Sequence, residues 1–385
     1  MIFYIFLGVI AGTITGLIPG LHSNNIVYFF TSISFFEKNF SYFVISMVIT
    51  QSFVDFIPSV FFGAPDTDTF EGVLPGHKLF LEGNGFEAII LTIFGGICAI
   101  IFSILLIPIF QQFLIINNEK IIFLIPPVLI ISSLILVLSE KNNKLRKIAI
   151  FVFIISASQG ILFKDQLFPL ISGYFGISTI IFANKKNNLI KQKNTATIKT
   201  EHVFDGVIGL IGGAIVSIFP GIGNNLAAAI IKLFRQNMKT KKYLVVLGSI
   251  NTSNFLFSIP VLFVLNRARN GAAIYLKENF IFTEQTYILS IITIIISAGA
   301  GAIITIGISK LLCNKIQKID FTILNYGLIL ILISLVIIFN GPIGFIALMF
   351  STALGTFTIS KKVKRSNCLG ALIVPALFFY LFVLI

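Results

Sequence analysis

Charge is scarce in this sequence. Of its 385 residues only 11% are Asp, Glu, Lys or Arg, while 56% are hydrophobic; a soluble domain carries about 25% charged residues. That shortage excludes a water-soluble fold, because no aqueous surface could hide so much Ile, Leu and Phe, the last present 42 times. With a mean hydropathy of +1.00, the bilayer is the solvent for most of the surface. Cysteine is nearly missing as well. Cys98, Cys313 and Cys368 are scattered among apolar segments, which excludes a disulfide framework and a cysteine metal site. His22, His77 and His202 do not sit at metal spacing. There is no P-loop, no Gly-x-Ser-Gly site and no DDxxD-like diphosphate motif, Asp66-Thr67-Asp68 being too short. The sequence therefore reads as a non-enzyme with no cofactor and no metal centre. The first apolar segment lacks a basic leader and a small-residue cleavage site, so it reads as part of the mature chain rather than a cleaved signal.

The net charge of +13 does not indicate a nucleic-acid partner. The basic residues form short runs between apolar segments, with no aromatic-basic motif beside them. That is the signature of loops lying next to anionic lipid.

A helix needs about 20 apolar residues to span a bilayer. Long apolar segments cover 41–62, 86–116, 119–139, 146–163 and 166–184, then 242–264, 282–312, 319–339, 342–360 and 366–385. Four shorter ones, 2–18, 21–36, 203–219 and 221–236, form two pairs, each joined by Pro-Gly. The basic linker starting at Lys185 is the long polar stretch between them, giving a first transmembrane repeat over 1–184, a cytoplasmic linker over 185–202 and a second repeat over 203–385. Residues 8–25 (GVIAGTITGLIPGLHSNN) match 209–226 (GLIGGAIVSIFPGIGNNL) at a constant offset of 201. Ser52-Phe53 and Pro58 match Asn254-Phe255 and Pro260 at an offset of 202, and residues 76–84 match 271–279 at 195. The expected architecture is an all-α integral membrane protein with about 10–14 segments, built from two repeats with broken helices or re-entrant hairpins.

Placing Lys141, Lys144, Arg146 and Lys147 in the cytoplasm and threading outward brings 21 of the 28 Lys and Arg to that side. Equivalent loops of the halves then fall on opposite faces, which predicts inverted topology, a common build for secondary transporters. Both termini come out extracellular.

Two groups of residues carry the functional reading. Pro19, Gly20, Ser23, Asn24 and Asn25, with Pro220, Gly221, Gly223, Asn224 and Asn225, form paired helix breaks. Backbone broken at membrane depth is tolerated inside protein or beside water. A helix starting there offers free N–H groups and a positive dipole end to an anion; the plainer reading is an ordinary helix cap. Arg267 and Arg269 would join them as bidentate partners of carboxylate or phosphate, or form a surface basic loop. Gln51, Asp55, Asp66, Thr67, Asp68 and Thr69 are hard-oxygen groups suited to a coupling H⁺ or Na⁺, with a solvated acidic turn as the alternative for Asp55, Asp66 and Asp68.

The segments GLIPGLHSNN, FFGAPDTDTFEGVLPGHKLFLEG and FPGIGNN resemble the large membrane subunit of the tripartite tricarboxylate transporters, the TctA family, and look closest to its shorter archaeal members. The resemblance spans nearly the whole chain. It implies cation-driven uptake of a di- or tricarboxylate into the cell, in bacteria with a small membrane subunit and an extracytoplasmic binding protein. Translocation of a lipid-linked (polyprenyl) phosphate and a non-transporting accessory role are the alternatives.

Overall fold

The structure, a computed structural model, describes residues 1–18, 23, 26–27, 39–63, 70–183, 190–219, 223–235, 238–268, 270–316 and 321–384. Helices and their connections make up all of it, with no strand among the described residues. Among the described residues, eight helices are long and apolar enough to cross a membrane, so the chain is a multi-pass membrane protein.

Helices α1 (Ile2–Leu17) and α2 (Phe40–Val54) open the first half. Short α3 (Phe56–Phe61) continues α2 after an interruption at Asp55, and α4 (Phe70–Leu81) follows. Pro58 accounts for the interruption: it has no N–H for the Val54 carbonyl, and its ring crowds the turn before it. Helix α5 runs from Gly85 to Leu138, 54 residues, about 81 Å at 1.5 Å per residue. A hydrocarbon core is about 30 Å thick. The run divides at Asn117, where φ is −112° and ψ 15°, and the Asn117 side chain donates to the Phe113 carbonyl at 2.9 Å. The segments read as 86–116 and 119–139 are thus two arms of one kinked element. Helix α6 (Asn143–Leu162) is capped by Asn142, whose side chain accepts from the Leu145 N–H at 2.9 Å. Segment 166–184 differs from the expected plain span: it is α7 (Leu167–Ile171), a π-helical turn (Ser172–Ile177) and α8 (Ser178–Ala183).

The second half comprises α9 (Glu201–Ile218), α10 (Asn224–Phe234), α11 (Thr240–Leu265), α12 (Gly271–Asn279), α13 (Glu284–Lys315), α14 (Phe321–Ser360), a 3-10 turn (Arg365–Leu369) and α15 (Gly370–Leu384). Segments 319–339 and 342–360 are joined in α14 through Gly341, at φ 63° and ψ −159°, a backbone region open essentially to glycine alone. At 18 residues, α9 is long enough to count as a span, although the sequence grouped it with the short segments. Glu201 and His202, assigned by sequence to the linker, form its first turn.

Helices α2–α3 and α11 are almost wholly buried in protein, whereas α14 exposes most of its apolar surface. Small residues let backbones approach closely around this central pair. A Cβ added at Gly8 would lie 2.5 Å from the Phe43 carbonyl, and one at Gly209 would lie 2.6 Å from that of Val246. Ser46 donates to the Ile5 carbonyl at 2.8 Å, and Ser249 to that of Gly206 at 2.6 Å. These contacts relate α1 to α9 at an offset of 201 but α2 to α11 at 203, one residue from the 202 read in the sequence. Side chains at Gly95 or Gly248 would be driven into the Val245 and Thr92 carbonyls, so α5 and α11 touch backbone to backbone. On the other flank Ser297 of α13 donates to Ser46 at 2.9 Å.

The described part of the linker is no loose spacer. The Gln192 amide accepts from the Gly85 N–H at 3.0 Å and donates to the Phe80 carbonyl at 2.9 Å, tying the end of α4 to the start of α5.

Candidate functional site

The two helices that lead into the breaks end with the same backbone geometry. Helix α1 ends at Ile18 with φ −100° and ψ 104°, and α9 at Phe219 with φ −99° and ψ 108°. Pro19, Gly20, Asn24 and Asn25 lie outside the described residues, as do Pro220 and Gly221. Beyond the first break, the Ser23 N–H donates to the Gln51 side-chain oxygen at 2.9 Å, and Thr15 donates to the same oxygen at 3.2 Å. Gln51 is thereby fixed against the break. Beyond the second, Gly223 is extended (φ −80°, ψ 165°) and leads into α10, whose first two residues, Asn224 and Asn225, are buried.

The halves meet through side chains on α2 and α11. The Asn251 amide nitrogen donates to both carboxylate oxygens of Asp55, at 3.2 and 2.9 Å, and lies 3.0 Å from the Ser52 carbonyl. Its amide oxygen accepts from Asn224 at 2.8 Å. One step along, the Ser52 and Thr252 hydroxyls are 3.3 Å apart. Asp55 is 4% exposed, Asn251 5% and Asn224 2%.

The amide orientations follow from chemistry. An ionised carboxylate and a backbone carbonyl only accept, so Asn251 must turn its nitrogen to α2 and its oxygen to Asn224. Asn224 must then spend its nitrogen on Asn251. Its own oxygen, Oδ1, is left buried with no hydrogen-bond partner among the described residues. A buried acceptor without a donor costs on the order of 1–3 kcal/mol.

Other expected residues are less gathered. Asp66, Thr67, Asp68 and Thr69 lie outside the described residues, and so does Arg269. Arg267 follows the left-handed Asn266 (φ 51°) that ends α11; it is half-buried, and its Nη1 has no hydrogen-bond partner among the described residues. Asn251 is not among the residues singled out from the sequence, since its region lacks acids. The available signal was a run of Asn251, Thr252 and Asn254 inside an apolar helix. His77 was missed too. Its Nδ1 donates to the Val60 carbonyl at 2.9 Å, its ring stacks on Phe80, and it faces Gly63 (φ 62°) at the edge of the acidic loop. Burial lowers its pKa below the usual 6.5, which keeps the ring neutral at pH 7.

Two other buried carboxylates are paired with a cation, while Glu140 is held by the Lys364 N–H at 2.8 Å and the Asn367 amide at 3.1 Å. Glu87 meets Lys241 at 2.7 Å and Asp205 meets Arg235 at 2.8 Å. No group of three His, Cys, Asp or Glu among the described residues could hold a metal ion.

Broken, glycine-packed helices around a buried carboxylate–amide chain define a polytopic helical membrane protein. The model of the tripartite tricarboxylate transporter TctA family matches residues 2–370, and the chain belongs to that family. It is 31% identical, over 98% of both chains, to an uncharacterized protein of Methanocaldococcus jannaschii. No solved structure matches it.

Proposed function

We propose that this protein is a secondary transporter that couples uptake of a small organic anion, a di- or tricarboxylate, to an H⁺ or Na⁺ gradient. The observation that carries the reading is the chain Asn224–Asn251–Asp55, which joins the second helix break to an intramembrane carboxylate of the first half. Carboxylates at such depth are costly and mark ion pathways, and the helix start at Asn224 offers N–H groups and a positive dipole end to an anion.

The two halves act as inverted repeats. Support comes from the matched breaks at Ile18 and Phe219 and from the paired serine bonds of Ser46 and Ser249. It comes also from the crossing of α2 and α11, where Ser52 meets Thr252 and Asp55 meets Asn251, as oppositely directed chains would. The α9–α10 pair is an antiparallel hairpin in this reading. The Arg235–Asp205 ion pair supports that, since it returns the end of α10 to the first turns of α9. Basic loops face the cytoplasm and both termini the exterior. Membership of a tripartite family supports a small membrane subunit and an extracytoplasmic binding protein as partners.

Uptake of labelled succinate and citrate into proteoliposomes under imposed H⁺ and Na⁺ gradients tests the reading. Accumulation driven by either gradient is expected. Uptake indifferent to both overturns the coupling, and flipping of a polyprenyl phosphate by the same vesicles would favour the lipid-phosphate alternative.

A further inference from the structure

We propose that the Asn224 side-chain oxygen is a ligand for a hard monovalent cation of the Na⁺ kind, held between that oxygen and the anion bound at the start of α10; the proposal rests on the transport reading above. Asn224 is buried, and the acceptor-only Asp55 carboxylate and Ser52 carbonyl fix the direction of its amide through Asn251. What it turns away from Asn251 is an oxygen without a donor. An amide oxygen is not basic enough to carry a transferable proton, but it is an ordinary ligand for a hard cation.

Its position sets the order of events. The N-terminal end of α10 repels a lone cation and attracts an anion. A cation is therefore held well at Asn224 only when the anion is there to offset the positive helix end, and the cation in turn strengthens the anion. Each ligand raises the other's affinity by the same factor, which is what obligatory co-transport needs. Asp55 serves here as a positioning residue: by accepting from Asn251 it turns that amide's oxygen to the Asn224 nitrogen and so leaves the Asn224 oxygen free to take a ligand.

The test is ²²Na⁺ binding to the purified full chain in choline buffer, with and without millimolar succinate, malate and citrate. The expected result is saturable binding, at least tenfold tighter with the anions present. Asn224→Ala should weaken it at least tenfold. Asn224→Asp, nearly the same size, should bind Na⁺ at least tenfold more tightly than the native protein without anions; it decides the matter if the alanine variant fails to fold. Absence of Na⁺ binding, or binding unchanged in both variants, overturns the proposal. So does a loss confined to malate with Na⁺ binding intact, which assigns the oxygen to a substrate hydroxyl. Uptake driven by protons alone without Na⁺ binding sinks this inference and leaves the transport reading standing. No gradient-driven uptake sinks the transport reading whatever the Na⁺ titration shows.

Discussion

The Asn251 amide nitrogen lies 2.9 and 3.2 Å from the two carboxylate oxygens of Asp55, although 196 residues separate them in the chain. An ionised carboxylate in the membrane costs several kcal/mol unless it is hydrogen-bonded or neutralised, and this contact supplies two such bonds from the opposite half. Asp55→Asn should therefore abolish gradient-driven accumulation while leaving substrate binding measurable. Normal accumulation by that variant would reduce Asp55 to a polar residue at a helix interruption and leave the coupling role to the Asn224 oxygen or to Asp66 and Asp68.

Arg267 holds a guanidinium nitrogen that has no hydrogen-bond partner among the described residues, as a group awaiting an anion would. Replacing Arg267 or Arg269 by Ala should weaken binding by about 1.5–3 kcal/mol through loss of a charge-assisted bond, or roughly 10- to 150-fold in Kd. Equilibrium binding of labelled succinate or citrate measures it; an unchanged Kd in both variants would return the loop to a surface role.

Inverted topology makes the loop at Asn142 and the bend at Gly341 equivalent but on opposite membrane faces. Single cysteines there, in a background where Cys98, Cys313 and Cys368 are replaced, should label from opposite sides with an impermeant maleimide. Labelling from one side rules out the inverted repeat.

Glycine at the α5–α11 contact is a packing requirement, because an added Cβ would strike carbonyl oxygens that cannot move aside. Gly95→Ala and Gly248→Ala should each destabilise the protein by about 1–3 kcal/mol. Gly299, also helical, has nothing within 4 Å of an added Cβ, so Gly299→Ala should be neutral or stabilising by up to about 1 kcal/mol. Denaturant unfolding in detergent distinguishes the two sites.

His77 gives the stability a pH dependence. Burial lowers its folded pKa, whereas the unfolded value is about 6.5. Between the two values the unfolded chain binds more protons, so stability falls as the pH drops below about 6.5. His77→Asn, which keeps a donor for the Val60 carbonyl, should flatten the slope just below about pH 6.5. Thermal unfolding profiles with equal slopes would show that His77 carries none of it.

The sequence by itself determined the bilayer environment, the positions of the long apolar helices to within a few residues, and the Pro-Gly that follows two glycine-rich segments; the short helices α4 and α12 were not legible in it. Those properties are local. Apolar length sets a span, and proline and glycine end a helix wherever they fall. It singled out Asp55 because an acid inside an apolar run is anomalous in any fold. Tertiary structure decided what touches what. That Ser23 and Thr15 both bind Gln51, that α2 and α11 register at 203 rather than 202, and that Gln192 closes the junction between α4 and α5 depend on contacts across many residues. Such contacts follow the depth to which glycines let two backbones approach, which no one-dimensional offset records. The same holds for Asn251 and Asn224. Asn251 reads in sequence as one polar residue in a helix and Asn224 as part of a helix break, and only the crossing of the two halves joins them to Asp55, leaving the Asn224 oxygen without a donor among the described residues.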